Sequence, residues 1–285
     1  MNINIDTKLI GLIGSPVGHS VSPLIHNNIY RALNMNYIYM AFDVEPNIIE
    51  EAVEGMIALS FAGFNVTIPH KQRILEFLDD LDEEANTIGA VNTVKNENGL
   101  LKGYNTDGMG FISGLQRLGF SPDGKSVAII GAGGAARAIS VYLLKEGVNS
   151  IYILNRTYER GVALAKELNT KHKSDLVIPI ERKTLDLLDL DLLVNTTSVG
   201  MFPYVDSSPL EGFSFNTNTV VVDIIYNPYE TKLLRDAKSQ GCIVQNGMDM
   251  LIGQALASIK IWTGRNILYE DCRKILKNDD LAIGL

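Results

Sequence analysis

The sequence lacks a long hydrophobic run. None of its 285 residues belongs to a stretch of about 18 consecutive apolar residues, which is the length that a membrane-spanning helix requires. Residues 1–12 also lack the basic start and the small-residue cleavage site of a secretory leader. We therefore expect a cytoplasmic protein with no membrane partner.

Residues that build disulfide frameworks and metal sites are scarce. The two cysteines, Cys242 and Cys272, stand far apart in the chain, which excludes a disulfide framework and a cysteine metal motif and predicts reduced thiols. The histidines His19, His26 and His70 have neither metal-ligand spacing nor a nucleophile beside them. We expect no metal site and a packing or loop role for each histidine.

Positive charge is in the minority. The chain has 25 Lys and Arg against 33 Asp and Glu, a net charge of -8. A nucleic-acid partner normally requires a basic face, so this balance argues against one. A small anionic substrate remains compatible with the composition, because a few local basic groups suffice to bind it.

Apolar strand patterns alternate with amphipathic helix patterns along the whole chain. This alternation is typical of an α/β protein with mostly parallel sheets, and the length predicts two domains. The predicted strands are 9–13, 37–42, 63–68, 91–94 and 100–104, followed after a turn cluster at 121–124 by 127–130, 151–154, 192–195 and 220–225. Residues 250–262 form the last predicted helix, which we expect to pack back on the first domain.

A glycine-rich turn follows the buried strand at 127–130. Gly131 and Gly133 allow a tight turn and let backbone N–H groups approach a pyrophosphate, whose charge a helix N-terminus stabilises. Ala136 stands where the third glycine of a dinucleotide-binding motif usually lies. By itself such a turn is also compatible with a plain strand-to-helix connection.

The end of the next strand favours NADP over NAD. An NAD-binding protein usually places an acidic residue there to accept the ribose 2′-hydroxyl. This chain instead has Asn155, Arg156 and Thr157, with Arg160 one turn further on, and these offer donors and positive charge to a 2′-phosphate. The alternative, that both arginines only decorate a solvated helix start, leaves two cations opposing the helix dipole without an anion.

Two serines precede the first helix of the N-terminal half. Pro23 suits the first helical position and Ser22 the N-cap. Capping does not explain Ser20. Two hydroxyls beside free N–H groups at a helix start suit a carboxylate, so we expect an anionic substrate here.

Polar residues also follow several strands of this half. Asn65, Thr67 and Lys71 lie at and after the end of one predicted strand, and Asn92 lies on the next. Asp107 follows the strand 100–104, which the Asn-Gly pair at 98–99 predicts to be the second strand of a hairpin. Ligands bind at the carboxyl ends of parallel strands, so we expect these side chains at one sheet edge. From residue type alone, ordinary surface charge is a more common role than catalysis for Lys71 and Asp107.

Taken in order, these motifs resemble those of the shikimate dehydrogenase family. The shared motifs are Ser-x-Ser-Pro (20–23), Asn-Val-Thr-x-Pro-x-Lys (65–71), Gly-Ala-x-Asn-Thr (89–93), Gly-x-Asn-Thr-Asp (103–107), Gly-Ala-Gly-Gly (131–134) and Asn-Arg-Thr (155–157). The similarity continues through 195–201, 223–228 and 246–248 to Gln254 and Ala255, so that it spans nearly the whole chain.

The resemblance implies reversible reduction of 3-dehydroshikimate to shikimate by NADPH, in the chorismate route to aromatic amino acids. It implies Lys71 and Asp107 as the catalytic pair. Residues expected to bind substrate are Ser20, Ser22, Asn65, Thr67, Asn92, Asp107, Tyr226 and Gln254. Residues expected to bind NADP are Gly131, Ala132, Gly133, Gly134, Ala135, Asn155, Arg156, Thr157, Arg160, Thr197, Met201, Ile224, Gly247 and Met248. For Tyr226, Met201 and Met248 the resemblance is the only argument, since each residue type also suits a core position.

The implied fold has two domains. An N-terminal α/β substrate domain with a mostly parallel sheet, residues 1–107 completed by 249–285, surrounds a Rossmann-type NADP-binding domain of residues 108–248. We expect a monomer or a homodimer whose partner is the small-molecule substrate.

Three other functions compete with this prediction. A quinate/shikimate dehydrogenase shares these motifs and often tolerates NAD, and pocket shape discriminates weakly against one added hydroxyl. A catalytically silent NADP-binding sensor would keep the glycine turn and lose Lys71 or Asp107, yet both are present. A short-chain reductase is disfavoured because the chain has no Tyr-x-x-x-Lys motif.

Overall fold

The computed structural model describes residues 3–278. These residues form two compact units. The first takes in the chain up to Gly110 and again from Ile252 onward, and the second comprises Phe111–Leu251. At both positions where the chain passes from one unit to the other, it does so within a helix.

The first unit contains a six-stranded sheet. Its strands are β1 (Lys8–Gly14), β2 (Tyr37–Asp43), β3 (Gly63–Val66), β4 (Asp80–Leu81), β5 (Thr93–Glu97) and β6 (Leu100–Tyr104). Its helices are α1 (Ser22–Ala32), α2 (Ile49–Ala58), α3 (Glu83–Ile88) and the start of α4 (Asp107–Arg117), with short 3-10 helices at Pro46–Ile48 and Arg73–Phe77.

This sheet is mixed, in the order β2-β1-β3-β5-β6-β4. Strand β1 pairs in parallel with β2 and β3, whereas β5 runs antiparallel to both β3 and β6. The predicted strand at 91–94 therefore starts later, at Thr93, and runs in the opposite direction from its neighbour. Asn92 precedes an antiparallel strand, so it reaches the same edge as the carboxyl end of β3 from the amino end of its own strand.

The second unit contains a fully parallel sheet in the order β12-β11-β10-β7-β8-β9. Its strands are β7 (Ser126–Ile130), β8 (Ser150–Leu154), β9 (Val177–Ile180), β10 (Leu192–Asn195), β11 (Val220–Asp223) and β12 (Ile243–Gln245). Its helices are α5 (Gly134–Lys145), α6 (Tyr158–His172), α7 (Arg182–Leu185) and α8 (Lys232–Ser239). The four central strands match the predicted apolar runs, because strands of a parallel sheet are covered on both faces. The edge strands β9 and β12 were not predicted: the apolar run of β9 contains Pro179, and β12 is only three residues long.

The C-terminal segment holds two helices. Helix α9 (Met248–Thr263) extends slightly beyond the predicted 250–262, and α10 (Tyr269–Asn278) follows it. The prediction that the chain's last helix is the one at 250–262 is therefore wrong. Trp262 of α9 donates a hydrogen bond from Nε1 to the carbonyl oxygen of Val94 at 2.9 Å, which attaches this helix to β5 within the first unit.

His26 is a buried histidine in the core of the first unit. Its ring stacks on Tyr39 with centroids 4.1 Å apart, and Nδ1 lies 3.3 Å from the hydroxyl of Tyr30. The side chain is fully buried, and Nε2 has no hydrogen-bond partner. Burial lowers the pKa of His26 from 6.5 to about 3, because the charged imidazolium would lose its hydration.

We predict that His26→Phe flattens the acid side of the stability profile. Below pH 6.5 the unfolded chain takes up a proton at His26 that the folded chain excludes, so wild-type stability is lost as the pH falls. The loss approaches about 1.4 kcal/mol per pH unit, and phenylalanine removes it while keeping the stack on Tyr39. Urea unfolding at several pH values between 7 and 5 measures the effect. An unchanged pH dependence in the variant would contradict the assignment.

Both cysteines are free and buried, and burial raises the pKa of Cys272 to about 12. Within residues 3–278, no group of three or more His, Cys, Asp or Glu side chains is arranged to hold a metal ion. None of the helices in this part of the chain is both long enough and apolar enough to cross a membrane.

Candidate active site

Lys71 and Asp107 form an ion pair in the first unit, with Nζ 2.5 Å from Oδ2. Asp107 is the first residue of α4, where the helix dipole favours a negative charge. Its other carboxylate oxygen, Oδ1, accepts a hydrogen bond from Asn92 Nδ2 at 2.8 Å. The carboxylate is buried and the ammonium is half-buried. The pair is therefore fixed in orientation while Lys71 keeps access to solvent.

Asn92 is itself held by its neighbours. Its Oδ1 accepts hydrogen bonds from the backbone N–H of Thr106 at 2.8 Å and from the hydroxyl of Thr93 at 3.0 Å. The Thr93 hydroxyl also lies 2.8 Å from that of Ser258 in α9. Sequence reasoning missed Thr93, Thr106 and Ser258 as supports of the pair. The Gly-x-Asn-Thr-Asp motif contained a signal for Thr106, but nothing in the sequence marked Ser258.

The other predicted substrate residues of this unit differ in exposure. Asn65 is buried, and its side chain accepts from the Tyr39 hydroxyl at 2.7 Å and donates to the carbonyl oxygen of Asn92 at 2.9 Å. Thr67 is half-buried just beyond β3, and Gln254 is largely buried in α9. The same edge of the sheet thus carries Asn65, Asn92 and the Lys71–Asp107 pair.

The start of α1 differs from the prediction for Ser22. Val21 is the N-cap residue, Ser22 opens the helix with Pro23 as its second residue, and the Ser22 side chain caps nothing. The N-cap prediction for Ser22 is therefore wrong. The hydroxyl of Ser20 accepts a hydrogen bond from the backbone N–H of Ser22 at 3.3 Å, although Ser20 is not the N-cap residue.

The glycine turn joins β7 to α5 in the second unit. Gly131 has a φ of +115°, and a Cβ atom there would lie 2.4 Å from the hydroxyl of Thr196, so only glycine fits. Gly133 is the N-cap residue of α5 and, having no side chain, cannot cap the helix; a Cβ atom there would meet no other atom within 4 Å. Ala136 is fully buried. The turn leaves the first N–H groups of α5 without a side-chain cap, which suits a pyrophosphate.

The segment after β8 presents two cations. Arg156 and Arg160 are exposed, and neither has an ion-pair partner among residues 3–278. Asn155 donates a hydrogen bond to the carbonyl oxygen of Thr157 at 2.7 Å, which shapes the entry into α6. Two free guanidinium groups at the start of a helix fit a 2′-phosphate.

The remaining predicted cofactor residues follow β10, β11 and β12. They are Thr197 and Ile224, both half-buried, Met201, which is 44% exposed, and the buried Gly247 and Met248. A Cβ atom on Gly247 would lie 1.9 Å from the carbonyl oxygen of Ile224, so this contact requires glycine. Tyr226 is half-buried two residues after Ile224. All of these residues lie at the carboxyl-end edge of the parallel sheet, the edge at which ligands of α/β sheets bind.

Three family models match the chain in order. They describe a shikimate dehydrogenase substrate binding domain over residues 12–94, a shikimate / quinate 5-dehydrogenase over 115–228 and a shikimate 5′-dehydrogenase C-terminal domain over 247–277. Among curated relatives, shikimate dehydrogenase (NADP(+)) of Bacillus cereus strain G9842 is 47% identical, covering 90% of this chain and 93% of its own. The corresponding Caldanaerobacter subterraneus protein is 46% identical, covering 96% and 99%.

Solved structures give the same result. A shikimate dehydrogenase in complex with NADP+ has a TM-score of 0.90 at 42% identity, covering 98% of this chain and 97% of its own. Shikimate 5-dehydrogenase from Listeria monocytogenes, in complex with shikimate and NAD, has a TM-score of 0.87 at 34% identity, covering 97% and 98%. Quinate dehydrogenase from Corynebacterium glutamicum, in complex with NAD, has a TM-score of 0.85 at 29% identity, covering 95% and 99%. The chain belongs to the shikimate dehydrogenase family.

Proposed function

We propose that this protein catalyses the NADPH-dependent, reversible reduction of 3-dehydroshikimate to shikimate in the chorismate route to aromatic amino acids. The observation that carries the proposal is the Lys71–Asp107 pair, which is oriented by Asn92, in a chain whose relatives are named shikimate dehydrogenase (NADP(+)). We assign residues 1–107 and 249–285 to the substrate domain and 108–248 to the NADP-binding domain. A cytoplasmic location and a monomeric or homodimeric state remain predictions.

In this proposal the substrate is held by hydroxyl and amide groups. Ser20 and Ser22 bind the carboxylate. The hydroxyls and ring are contacted by Asn65, Thr67, Asn92, Asp107, Tyr226 and Gln254. Because Asn65 and Asn92 have hydrogen-bond partners within the protein, their side chains are already ordered, which reduces the side-chain entropy lost when substrate binds.

NADP is held at three places along the edge of the parallel sheet. The backbone of Gly131, Ala132, Gly133, Gly134 and Ala135 would hold the pyrophosphate, and Asn155, Arg156, Thr157 and Arg160 would hold the 2′-phosphate. Thr197, Met201, Ile224, Gly247 and Met248 would surround the nicotinamide end. When bound, NADPH supplies the hydride that the reaction needs.

Lys71 acts on the oxygen of the ketone. Reduction adds a hydride to the carbonyl carbon and a proton to the oxygen, so negative charge develops on that oxygen in the transition state. The Lys71 ammonium stabilises this charge by donating a hydrogen bond or a proton. Asp107 holds the ammonium in place and accepts a hydrogen bond from the neighbouring substrate hydroxyl.

Initial rates with shikimate and quinate, each with NADP+ and NAD+, test the proposal. We expect the highest kcat/KM for shikimate with NADP+, because the 2′-phosphate meets free arginines at the end of β8. Exclusive use of quinate with NAD+ would replace the proposal with the activity named for the C. glutamicum relative. Absence of turnover with all four pairs, together with NADPH binding, would identify a silent NADP-binding protein.

A further inference from the structure

A buried polar connection joins the ends of β10 and β11 in the second unit. Asn195 ends β10 and Asp223 ends β11, and both side chains are fully buried. Asn195 Nδ2 donates a hydrogen bond to Asp223 Oδ1 at 3.1 Å. The two side chains therefore link neighbouring strands at the edge where the proposed cofactor residues follow.

On one side the connection fixes the loop after β10. Asn195 Oδ1 accepts hydrogen bonds from the backbone N–H of Thr197 at 3.0 Å and from its hydroxyl at 2.7 Å. Thr197 is one of the residues proposed to bind NADP. The orientation of the Asn195 amide thus sets the conformation of that residue.

On the other side it fixes the loop after β11. Asp223 Oδ1 also accepts from the backbone N–H of Ile225 at 3.1 Å, and Oδ2 accepts from the Thr231 hydroxyl at 2.7 Å. The carbonyl oxygen of Ile225 in turn accepts a hydrogen bond from the N–H of Gly247 at 3.0 Å. One carboxylate therefore anchors the Ile224–Tyr226 segment, and through it Gly247.

No cationic side chain in the described part of the chain compensates the charge of the Asp223 carboxylate. No Lys, Arg or His side chain among residues 3–278 pairs with it, and its bonds come from three neutral donors. Burial raises the pKa of Asp223 to about 6, so holding the charged form near pH 7 costs folding stability. A buried carboxylate that lowers stability and lies at a ligand-binding edge is typical of a functional role.

Strand order places this connection away from the 2′-phosphate site. Arg156 follows β8, the glycine turn follows β7, and Asp223 follows β11, three strand spacings from β8 in the order β8-β7-β10-β11. At roughly 4.8 Å per strand this is about 14 Å. The connection therefore lies at the opposite end of the proposed cofactor site from the arginines.

We propose that Asp223 and Asn195 are positioning residues for the nicotinamide end of NADP. They touch neither cofactor nor substrate. They hold Thr197, Ile224 and Gly247 in the arrangement that receives the nicotinamide. This inference rests on the proposed function, and it assigns to the end of β11 a role separate from the grip on the phosphates.

Comparing the binding of two ligands distinguishes a positioning role at the nicotinamide end from a general loss of structure in the second unit. NADPH spans the whole site, whereas adenosine 2′,5′-bisphosphate has the 2′-phosphate end and lacks the nicotinamide. For Asp223→Ala we expect the Kd of NADPH to rise about tenfold, as for the loss of a buried hydrogen-bond acceptor, while the Kd of adenosine 2′,5′-bisphosphate stays within about twofold. Asp223→Asn retains one oxygen for the Asn195 and Ile225 donors, so it is expected to restore most of the NADPH affinity. Isothermal titration calorimetry measures both constants.

Asp191→Asn is the matched control. Asp191 directly precedes β10, at the amino-terminal ends of the strands, and its carboxylate accepts a hydrogen bond from the backbone N–H of Ser126 at 2.9 Å. Its loss is expected to leave both dissociation constants unchanged. Asn195→Ala breaks the same connection from the β10 side and serves if Asp223→Ala does not fold. Combined with Asp223→Ala it should give a non-additive loss, because the two residues act through one another.

The outcomes are distinct. Equal weakening of both ligands in Asp223→Ala, or wild-type affinity for NADPH in both alanine variants, would overturn the inference. Failure of the wild-type protein to bind NADPH would instead overturn the proposed function.

Discussion

Replacing Lys71 with alanine is expected to lower kcat for shikimate oxidation by about 100-fold to 10,000-fold, the usual contribution of a positioned acid or base. KM should change less, because the ammonium acts mainly on charge that develops in the transition state. The 2.5 Å contact with Asp107 and the support from Asn92 hold the ammonium in one orientation. Steady-state kinetics at saturating NADP+ measures both constants.

Lys102→Ala is the matched control for this experiment. Lys102 also lies in the first unit and also forms a 2.5 Å ion pair, with Asp80, but both of these side chains are more exposed. Its removal should leave kcat unchanged, since an exposed pair contributes little even to stability. Wild-type turnover in Lys71→Ala would show that another group stabilises the charge on oxygen.

Removing both arginines at the end of β8 is expected to change the cofactor preference. In the double variant Arg156→Ala/Arg160→Ala we expect kcat/KM for NADP+ to fall by about 100-fold or more, since each charge-assisted hydrogen bond contributes about 1.5 to 3 kcal/mol. The value for NAD+, which has no 2′-phosphate, should change little. Parallel rate measurements with the two cofactors give the ratio directly.

Arg182→Ala controls for loss of positive charge from the same unit. Arg182 is the half-buried first residue of α7 and pairs with Asp186, which follows that helix, away from the proposed cofactor residues in sequence. It should leave the NADP+ to NAD+ ratio unchanged. If the double variant lost activity equally with both cofactors, or kept its activity with both, the two arginines would not recognise the 2′-phosphate, which would be bound elsewhere.

The sequence by itself was sufficient for the central strands and the glycine turn. Strands β7, β8, β10 and β11 are apolar runs because both faces of a parallel sheet are buried, so their positions follow from local composition. The positive φ of Gly131 is likewise a local requirement of the turn, to which the tertiary structure adds the close approach of Thr196. The family motifs also predicted that Lys71 and Asp107 lie together, and each of them follows the end of a strand by a few residues.

Strand direction and helix start depended on tertiary structure. Asn92 reaches the site edge from an antiparallel strand, whose direction is fixed by pairing with β3 and β6 and not by its own residues. At α1 the chain enters the helix one residue earlier than the pattern indicated, so that Ser20 and not Ser22 accepts the local hydrogen bond.

The hydrogen bonds that support both site edges could not be predicted from the sequence, even where their residues lie within the family motifs. Ser258 meets Thr93 across 165 residues, and Asp223 meets Asn195 across 28. A hydrogen bond between distant residues leaves no periodic pattern in either segment, because it depends only on how the strands and helices pack. The sequence therefore determined which residues have the chemistry for hydride transfer, and the tertiary structure alone decided which buried polar groups hold those residues in place.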